Sequence, residues 1–189
     1  MLKKTLAAIM ALCIAFAAIP ALAMETPSGP VTFGPFSAED LNGEGTITED
    51  FFKSSQITIV NFWATWCGPC IAELPDLAKI EEMTDGKVKV LGVLTDAIDM
   101  YTGERDDSAI EGMEKLLAEA EAEYPVLMPD TFLAALTSML QYVPTSFIID
   151  KDGKVLDVVV SSRSAEEWIA VAQEAADEAY ETKVDLLSK

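Results

Sequence analysis

Ile57-Thr58-Ile59-Val60-Asn61-Phe62-Trp63-Ala64-Thr65-Trp66-Cys67-Gly68-Pro69-Cys70 is the stretch on which the fold turns. Ile57 to Phe62 is a short, apolar, β-branched run, which reads as a buried strand. It leads directly into Cys67-Gly68-Pro69-Cys70 and then a helical pattern that continues to about Met83, with Gly86 as its stop. Val88 to Leu94 is a second buried strand. Strand, helix, strand at this spacing is a βαβ unit, so the two strands are expected to be parallel.

A lone Cys-x-x-Cys has three readings. One is half of a zinc site, but zinc normally takes four ligands. The chain has no His, and its one other cysteine is Cys13, so carboxylates or a second chain would have to complete the set. Another is a structural disulfide, although a bridge closing so small a loop gives little entropic stabilisation. The third, a catalytic dithiol, fits the surroundings best. The first cysteine falls where a strand ends and a helix begins, and the free N–H groups of a helix N-terminus stabilise a thiolate. The second, three residues on, shares that helix face and is placed to attack a mixed disulfide made by the first. Gly68 permits a tight turn into the helix. Pro69 needs no N–H in the first helical turn. Trp63 reads as core and Trp66 as apolar cover for the site.

The rest of the composition narrows the chemistry. The 189 residues hold 13 Lys plus Arg, 32 Asp plus Glu and no His. Without His there is no Ser-His-Asp triad, Cys-His pair, His-ligated zinc or haem attachment motif. A net charge of −19 argues against a nucleic-acid binder, which needs a basic face. The length suits a single domain. Lys3 and Lys4, an apolar run from Thr5 to Ile19, and Ala21-Leu22-Ala23 have the layout of a secretory leader cleaved after residue 23. The alternative is an uncleaved membrane anchor. Cleavage would leave 24–189 with Cys67 and Cys70 as its cysteines. Residues 24–35, rich in Pro, Gly, Ser and Thr, read as a linker, and 36–189 as the folded domain.

Within that domain, Asn42-Gly43 signals a hairpin turn. Asp40, Asn42, Glu44 and Gly45 partly match a calcium loop, but its twelfth position is Phe51 rather than Glu. Ser108-Ala109-Ile110-Glu111 forms a capping box, followed at helical spacing by Ile110, Met113, Leu117, Ala120 and Tyr124, with Pro125 as the stop. Val126 to Met128 reads as a short strand, and Asp130 or Thr131 as the cap of a helix bearing Leu133, Leu136 and Leu140. Thr145 to Ile149 and Val155 to Val160 read as strands joined at Asp152-Gly153. Ser164-Ala165-Glu166-Glu167 is a second capping box opening an amphipathic helix with Trp168, Ile169, Ala172, Ala176 and Ala179.

Asn61 to Cys70 resembles the active-site segment of the thioredoxin superfamily. With Glu73-Leu74-Pro75 it is similar to the extracytoplasmic TlpA/ResA-like thiol-disulfide oxidoreductases. Tyr142-Val143-Pro144-Thr145-Ser146-Phe147-Ile148-Ile149-Asp150, followed by Asp152-Gly153, resembles that family's cis-proline loop and hairpin. The resemblance covers roughly 33–180. It implies an α/β thioredoxin fold: a central mixed sheet flanked by helices, with an N-terminal β-hairpin extension and a helical insertion typical of TlpA-like proteins. It also implies a redox-active Cys67–Cys70 disulfide, with Cys67 as the exposed nucleophile, Cys70 as the buried resolving thiol and Glu73 as the acid/base group near Cys70. Pro144 would be cis, and Pro75 would kink the active-site helix. Substrate contacts are implied at Trp66, Gly68, Pro69, Val143, Pro144 and Thr145. Asn61 stands where thioredoxin has a buried Asp and cannot titrate, which places proton handling on Glu73. Peroxidase chemistry is not supported, because Thr65 lies two residues before Cys67 rather than three.

The implied activity is reduction of protein disulfides outside the cytoplasm, by a monomer without metal or cofactor. A DsbD- or CcdA-like membrane thiol donor would regenerate it, and apocytochrome c is one implied substrate. The Gly-Pro dipeptide leans towards reduction. The rivals are an oxidase or isomerase, and a non-catalytic thioredoxin-fold binding module with a structural disulfide.

Overall fold

The computed structural model of the protein describes residues 30–99, 101–180 and 186–187. The expected leader over 1–23, with its cleavage site and Cys13, lies outside them. Two sheets form. In the small one, β1 (Ser37–Glu39) pairs antiparallel with β2 (Thr46–Thr48). In the large one, β3 (Ile57–Trp63), β4 (Val88–Leu94), β5 (Val126–Leu127), β6 (Thr145–Asp150) and β7 (Val155–Val160) lie in the order β5-β4-β3-β6-β7. β3 is parallel to β4, as the βαβ reading requires, and antiparallel to β6. The helices are α1 (Gly68–Leu77), α2 (Ile80–Met83), α3 (Asp107–Glu119), α4 (Thr131–Met139) and α5 (Ala165–Tyr180), with a 3-10 helix at Glu49–Ser54. The result is the expected mixed sheet flanked by helices, with the hairpin extension and a helical segment between β4 and β5.

Every residue of β3 is buried, as a central strand covered on both faces must be. Its period of two sends Ile57, Ile59 and Trp63 into one core with Leu74, Leu77, Trp168 and Ala172, while Val60 and Phe62 join a second core with Phe33, Phe36 and Phe52. Asn61 therefore points with Trp63 into the face covered by α1 and α5.

Several local expectations shift. Residues 31–35, assigned by composition to the linker, are docked. The Phe33 N–H donates to the Gly153 carbonyl at 2.8 Å, the Val155 N–H donates to the Val31 carbonyl at 2.8 Å, and the Phe33 ring sits 5.4 to 6.1 Å from four other aromatic rings. The β1–β2 connection spans six residues, and the positive φ falls on Gly45 at 98° rather than on Asn42-Gly43. Asp40 ties the loop down, accepting the Asn42 and Val126 N–H groups at 3.1 and 3.2 Å. The helix after Cys70 is two pieces, α1 and α2, rather than one running to Met83. Pro75 lies inside α1, where it has no N–H to donate to the preceding turn. α3 is capped by Asp106, not by the Ser108 box, and it ends at Glu119, where Glu121 turns the chain at φ 52° before Tyr124. The Ser164 box forms as read: the Ser164 N–H donates to Glu167 Oε2 at 2.9 Å and the Glu167 N–H donates to Ser164 Oγ at 3.3 Å.

Candidate active site

β3 ends at Trp63 and delivers Cys67 to the N-cap of α1, in extended backbone at φ −89°. Pro69 sits in the first turn, where its missing N–H costs nothing. Cys67 and Cys70 are joined in a disulfide with Cα atoms 5.3 Å apart. The Cys70 N–H donates to the Cys67 sulfur at 3.3 Å, the capping bond that would hold a thiolate at this position. Cys67 shows 5% of its surface and Cys70 none. The order of accessibility is the implied one, but Cys67 is nearly covered rather than exposed.

What covers it is the facing loop. The Val143–Pro144 bond is cis, and the Val143 carbonyl oxygen lies 3.5 Å from the Cys67 sulfur. Thr145 opens β6 and donates its hydroxyl to the Tyr142 carbonyl at 2.7 Å. Trp66, 72% exposed, and Tyr142, 68% exposed, adjoin Cys67 and Val143 in the chain and line one cleft. Trp63, by contrast, is fully buried. Gly68 has open space where a Cβ would stand. Cys67, Trp66, Gly68, Pro69, Val143, Pro144 and Thr145 are thus brought to one end of the sheet from two distant segments. Thr65 gives its N–H and hydroxyl to Asp96 at 3.1 and 2.6 Å, so its hydroxyl proton is committed there.

Glu73 lies one helical turn beyond Cys70 and is only 2% exposed. Three N–H donors from distant segments meet its carboxyl. Asn61 Nδ2 donates to Oε1 at 3.0 Å, while the Arg163 backbone N–H and Trp168 Nε1 donate to Oε2 at 3.2 and 3.3 Å. Burial is the largest influence and pushes the Glu73 pKa up to about 7, against the pull of those donors. A carboxyl that exchanges its proton near neutrality, on the helix face of the resolving cysteine, is suited to take the Cys70 proton and return it.

The sequence reading placed Glu73 but not its shell. Asn61 cannot titrate, as its residue type implies; its Nδ2 bridges Glu73 and Ser146 Oγ, both at 3.0 Å. The spacing places Trp168 on the apolar face of an amphipathic helix and is silent on its indole N–H. The available signal was that a buried indole N–H needs a partner.

A strand-to-helix Cys-x-x-Cys, a cis-proline loop against it and a buried acid behind it on this sheet define a thiol-disulfide oxidoreductase of the thioredoxin superfamily. The chain belongs to the AhpC/TSA family, whose profile matches residues 32–158. It is 30% identical over 132 residues to the thiol-disulfide oxidoreductase ResA of Bacillus thuringiensis subsp. konkukian, covering 70% of this chain and 69% of that one. To the thioredoxin-like protein YneN of Bacillus subtilis it is 26% identical over 132 residues, 70% and 71% of the two chains. Its fold matches the crystal structure of a thioredoxin-family thiol:disulfide interchange protein from Chlorobium tepidum TLS with a TM-score of 0.62 and 25% identity, over 80% of this chain and 99% of that one.

Proposed function

We propose that the protein is an extracytoplasmic reductase of protein disulfides. The Cys67 thiolate attacks a substrate disulfide and forms a mixed disulfide, expelling one substrate thiolate. Cys70, deprotonated by Glu73, attacks the Cys67 sulfur. The substrate leaves as a dithiol and Cys67–Cys70 as the disulfide. The observation that carries the direction is electrostatic. Among the described residues the Cys67 sulfur accepts one N–H, that of Cys70, and no Lys or Arg lines the cleft next to Trp66 and Val143. Cationic neighbours stabilise a thiolate and make a dithiol a weak reductant. Without them the disulfide form is favoured, and the dithiol readily gives up its electrons.

The leader layout of 1–23 supports secretion, with membrane anchoring through an uncleaved leader as the alternative. Outside the cytoplasm the dithiol would be restored by a membrane thiol donor of the DsbD or CcdA kind, and apocytochrome c belongs to the substrate class. One chain supplies Cys67, Cys70, Glu73 and Pro144, so a monomer suffices for the reaction. The test is the equilibrium reduction potential of the Cys67/Cys70 couple, read by tryptophan fluorescence in dithiol buffers. A value near or below about −270 mV is expected; one towards about −120 mV would make the protein a disulfide donor. Mass analysis of the protein from its host should place the mature N-terminus at Met24.

A further inference from the structure

Four buried side-chain polar atoms lack a hydrogen-bond partner among the described residues, and three of them, Asn61 Oδ1, Trp63 Nε1 and the Tyr124 hydroxyl, belong to one place. Asn61 and Trp63 alternate onto the same face of β3. Asn61 registers against Gly92 of β4 on one side and Ser146 of β6 on the other. Its Nδ2 is turned to Ser146, which leaves its Oδ1 on the β4 side. There a Cβ on Gly92 would stand 3.3 Å from Trp63 Nε1 and 3.4 Å from Tyr124 Cε2, the ring carbon next to the one that bears the hydroxyl. Glycine at this register is what lets those groups approach the strand.

An unpartnered buried polar group is costly, and native interiors hold few of them. These three are complementary. Trp63 Nε1 only donates, Asn61 Oδ1 only accepts, and a phenol does both. One water can accept from the first, donate to the second and bond the third, which is the usual complement of a buried water. The cluster adjoins the acid, because Asn61 Nδ2 donates to Glu73 Oε1 at 3.0 Å. Oε1 accepts that one N–H while Oε2 accepts two, from Arg163 and Trp168, so Oε1 is the oxygen with room for a proton. Burial first, and then the Glu73 charge, push the Tyr124 pKa upward, so the phenol keeps its own proton and lies within the field of the acid. On its outer side Tyr124 walls a cleft of about 410 Å³ that it shares with Glu81, Glu82, Glu121 and Glu123. Tyr124 is 8% exposed, with its hydroxyl inside, and it separates this cleft from the buried cluster.

Glu73 has little access of its own to solvent, and in a mixed disulfide the substrate covers the Cys67 side. The proton that Glu73 takes from Cys70 needs another way out. We propose that Asn61 Oδ1, Trp63 Nε1 and the Tyr124 hydroxyl hold a water that carries this proton from Glu73 past Tyr124 to the glutamate-lined cleft, with Tyr124 as a positioning residue. The balance is one proton. The Cys70 S–H breaks, an O–H forms at Glu73 Oε1, and that proton passes to the water as the water gives one up to solvent; nothing is oxidised or reduced in this step. The proposal rests on the reading that Glu73 handles the Cys70 proton.

The test is hydrogen–deuterium exchange of the Glu73 carboxyl in the oxidised protein at about pH 5, where this acid is protonated. Its carbonyl stretch is the infrared band missing from Glu73→Gln, and the band shifts when O–H becomes O–D on rapid dilution into D₂O. Tyr124→Phe keeps the ring and removes only the hydroxyl. The band should shift at least about 10-fold more slowly in Tyr124→Phe than in the parent. Loosened packing would speed the exchange instead, and the backbone amides of β3, followed by NMR, report on packing separately. Unchanged or faster carboxyl exchange in Tyr124→Phe overturns the proposal. A second measurement blocks the other exit. Cys70→Ser with a peptide held on Cys67 as a mixed disulfide should exchange its Glu73 proton as fast as the same variant without the peptide. A slowing of about 10-fold there would assign the exit to the dithiol end and also overturn the proposal. Reduction of a peptide disulfide by Glu73→Gln at the parent's rate would bring down the reading on which the proposal rests, whereas the exchange rates, taken without turnover, decide the route itself.

Discussion

Glu73→Gln separates one acid from the 31 others in the chain. Burial moves the Glu73 carboxyl from 4.5 up to about 7, so folding takes up a proton between those values. The sign follows. The native state binds more protons than the unfolded chain in that window, so stability is fully present below pH 4.5 and is lost as pH rises through 7. At about 1.4 kcal/mol per pH unit, the loss across the window is about 3 kcal/mol. Gln has the same shape and does not ionise. At pH 4 the protonated acid can still accept at both oxygens, whereas the Gln amide nitrogen only donates and meets at least one of the three N–H groups donor to donor, so the Gln variant should be the less stable there by about 1–2 kcal/mol. Between pH 4 and pH 8 the difference should move by about 3 kcal/mol in favour of Gln. The assay is urea unfolding of both disulfide forms at half-unit pH steps, followed by tryptophan fluorescence. Titration of every other group cancels in the difference, provided the denaturant slopes agree. A difference that stays flat from pH 4 to 8 would refute the claim that this carboxyl is held near neutrality by burial. The same variant should resolve mixed disulfides slowly at pH 8, so greater stability and poorer turnover should appear together.

Trp168→Phe removes one N–H donor from Glu73 and should move the midpoint of the pH–rate profile up by about one unit; an unmoved midpoint would leave Trp168 a packing residue only. Asn61→Asp places a second carboxyl where Nδ2 now lies 3.0 Å from Glu73. The pair should share one proton, and the melting temperature should fall between pH 6 and pH 9 more steeply than in the parent protein. Phe33→Ala should cost about 3–5 kcal/mol in chemical denaturation, because Phe33 packs against four rings; a cost under about 1 kcal/mol would mean that residues 31–35 contribute nothing to the domain.

The parts that could be read from the sequence are those whose causes are local. β3, the N-capping cysteine, Pro69 in the first helical turn and β4 all lie within 57–94, and each has a cause a few residues away. The Ser164 box formed because both of its partners sit in one turn. The Ser108 box failed because Asp106, two residues earlier, takes the N–H groups of Ser108 and Ala109 and the Ser108 hydroxyl as well. Apolar spacing carried the expected helix on to Tyr124, but that side chain is buried by another route. Its ring lies 3.4 Å from where a Cβ on Gly92 would stand, and Trp63 Nε1 lies 3.3 Å from the same point. A periodicity argument counts a buried residue without asking which element buries it.

The shell of Glu73 escaped the reading for a related reason. Its donors come from positions 12, 90 and 95 residues away in the chain, and no spacing rule connects them. Parity does connect one of them. Asn61 alternates with Ile59 and Trp63, so once β3 is accepted as fully buried its amide must face the helices and find a partner there. The nearest acid on the active-site helix is Glu73, and that pairing was within reach. Trp168 was not, because its partner exists only once α5 has packed across the sheet. Two of the three donors, Trp168 and the Arg163 backbone, belong to α5 and to the turn that leads into it. The acid/base group is therefore completed by the last helix of the chain, and disruption of α5 packing should disturb proton handling at Cys70 before it disturbs the disulfide itself.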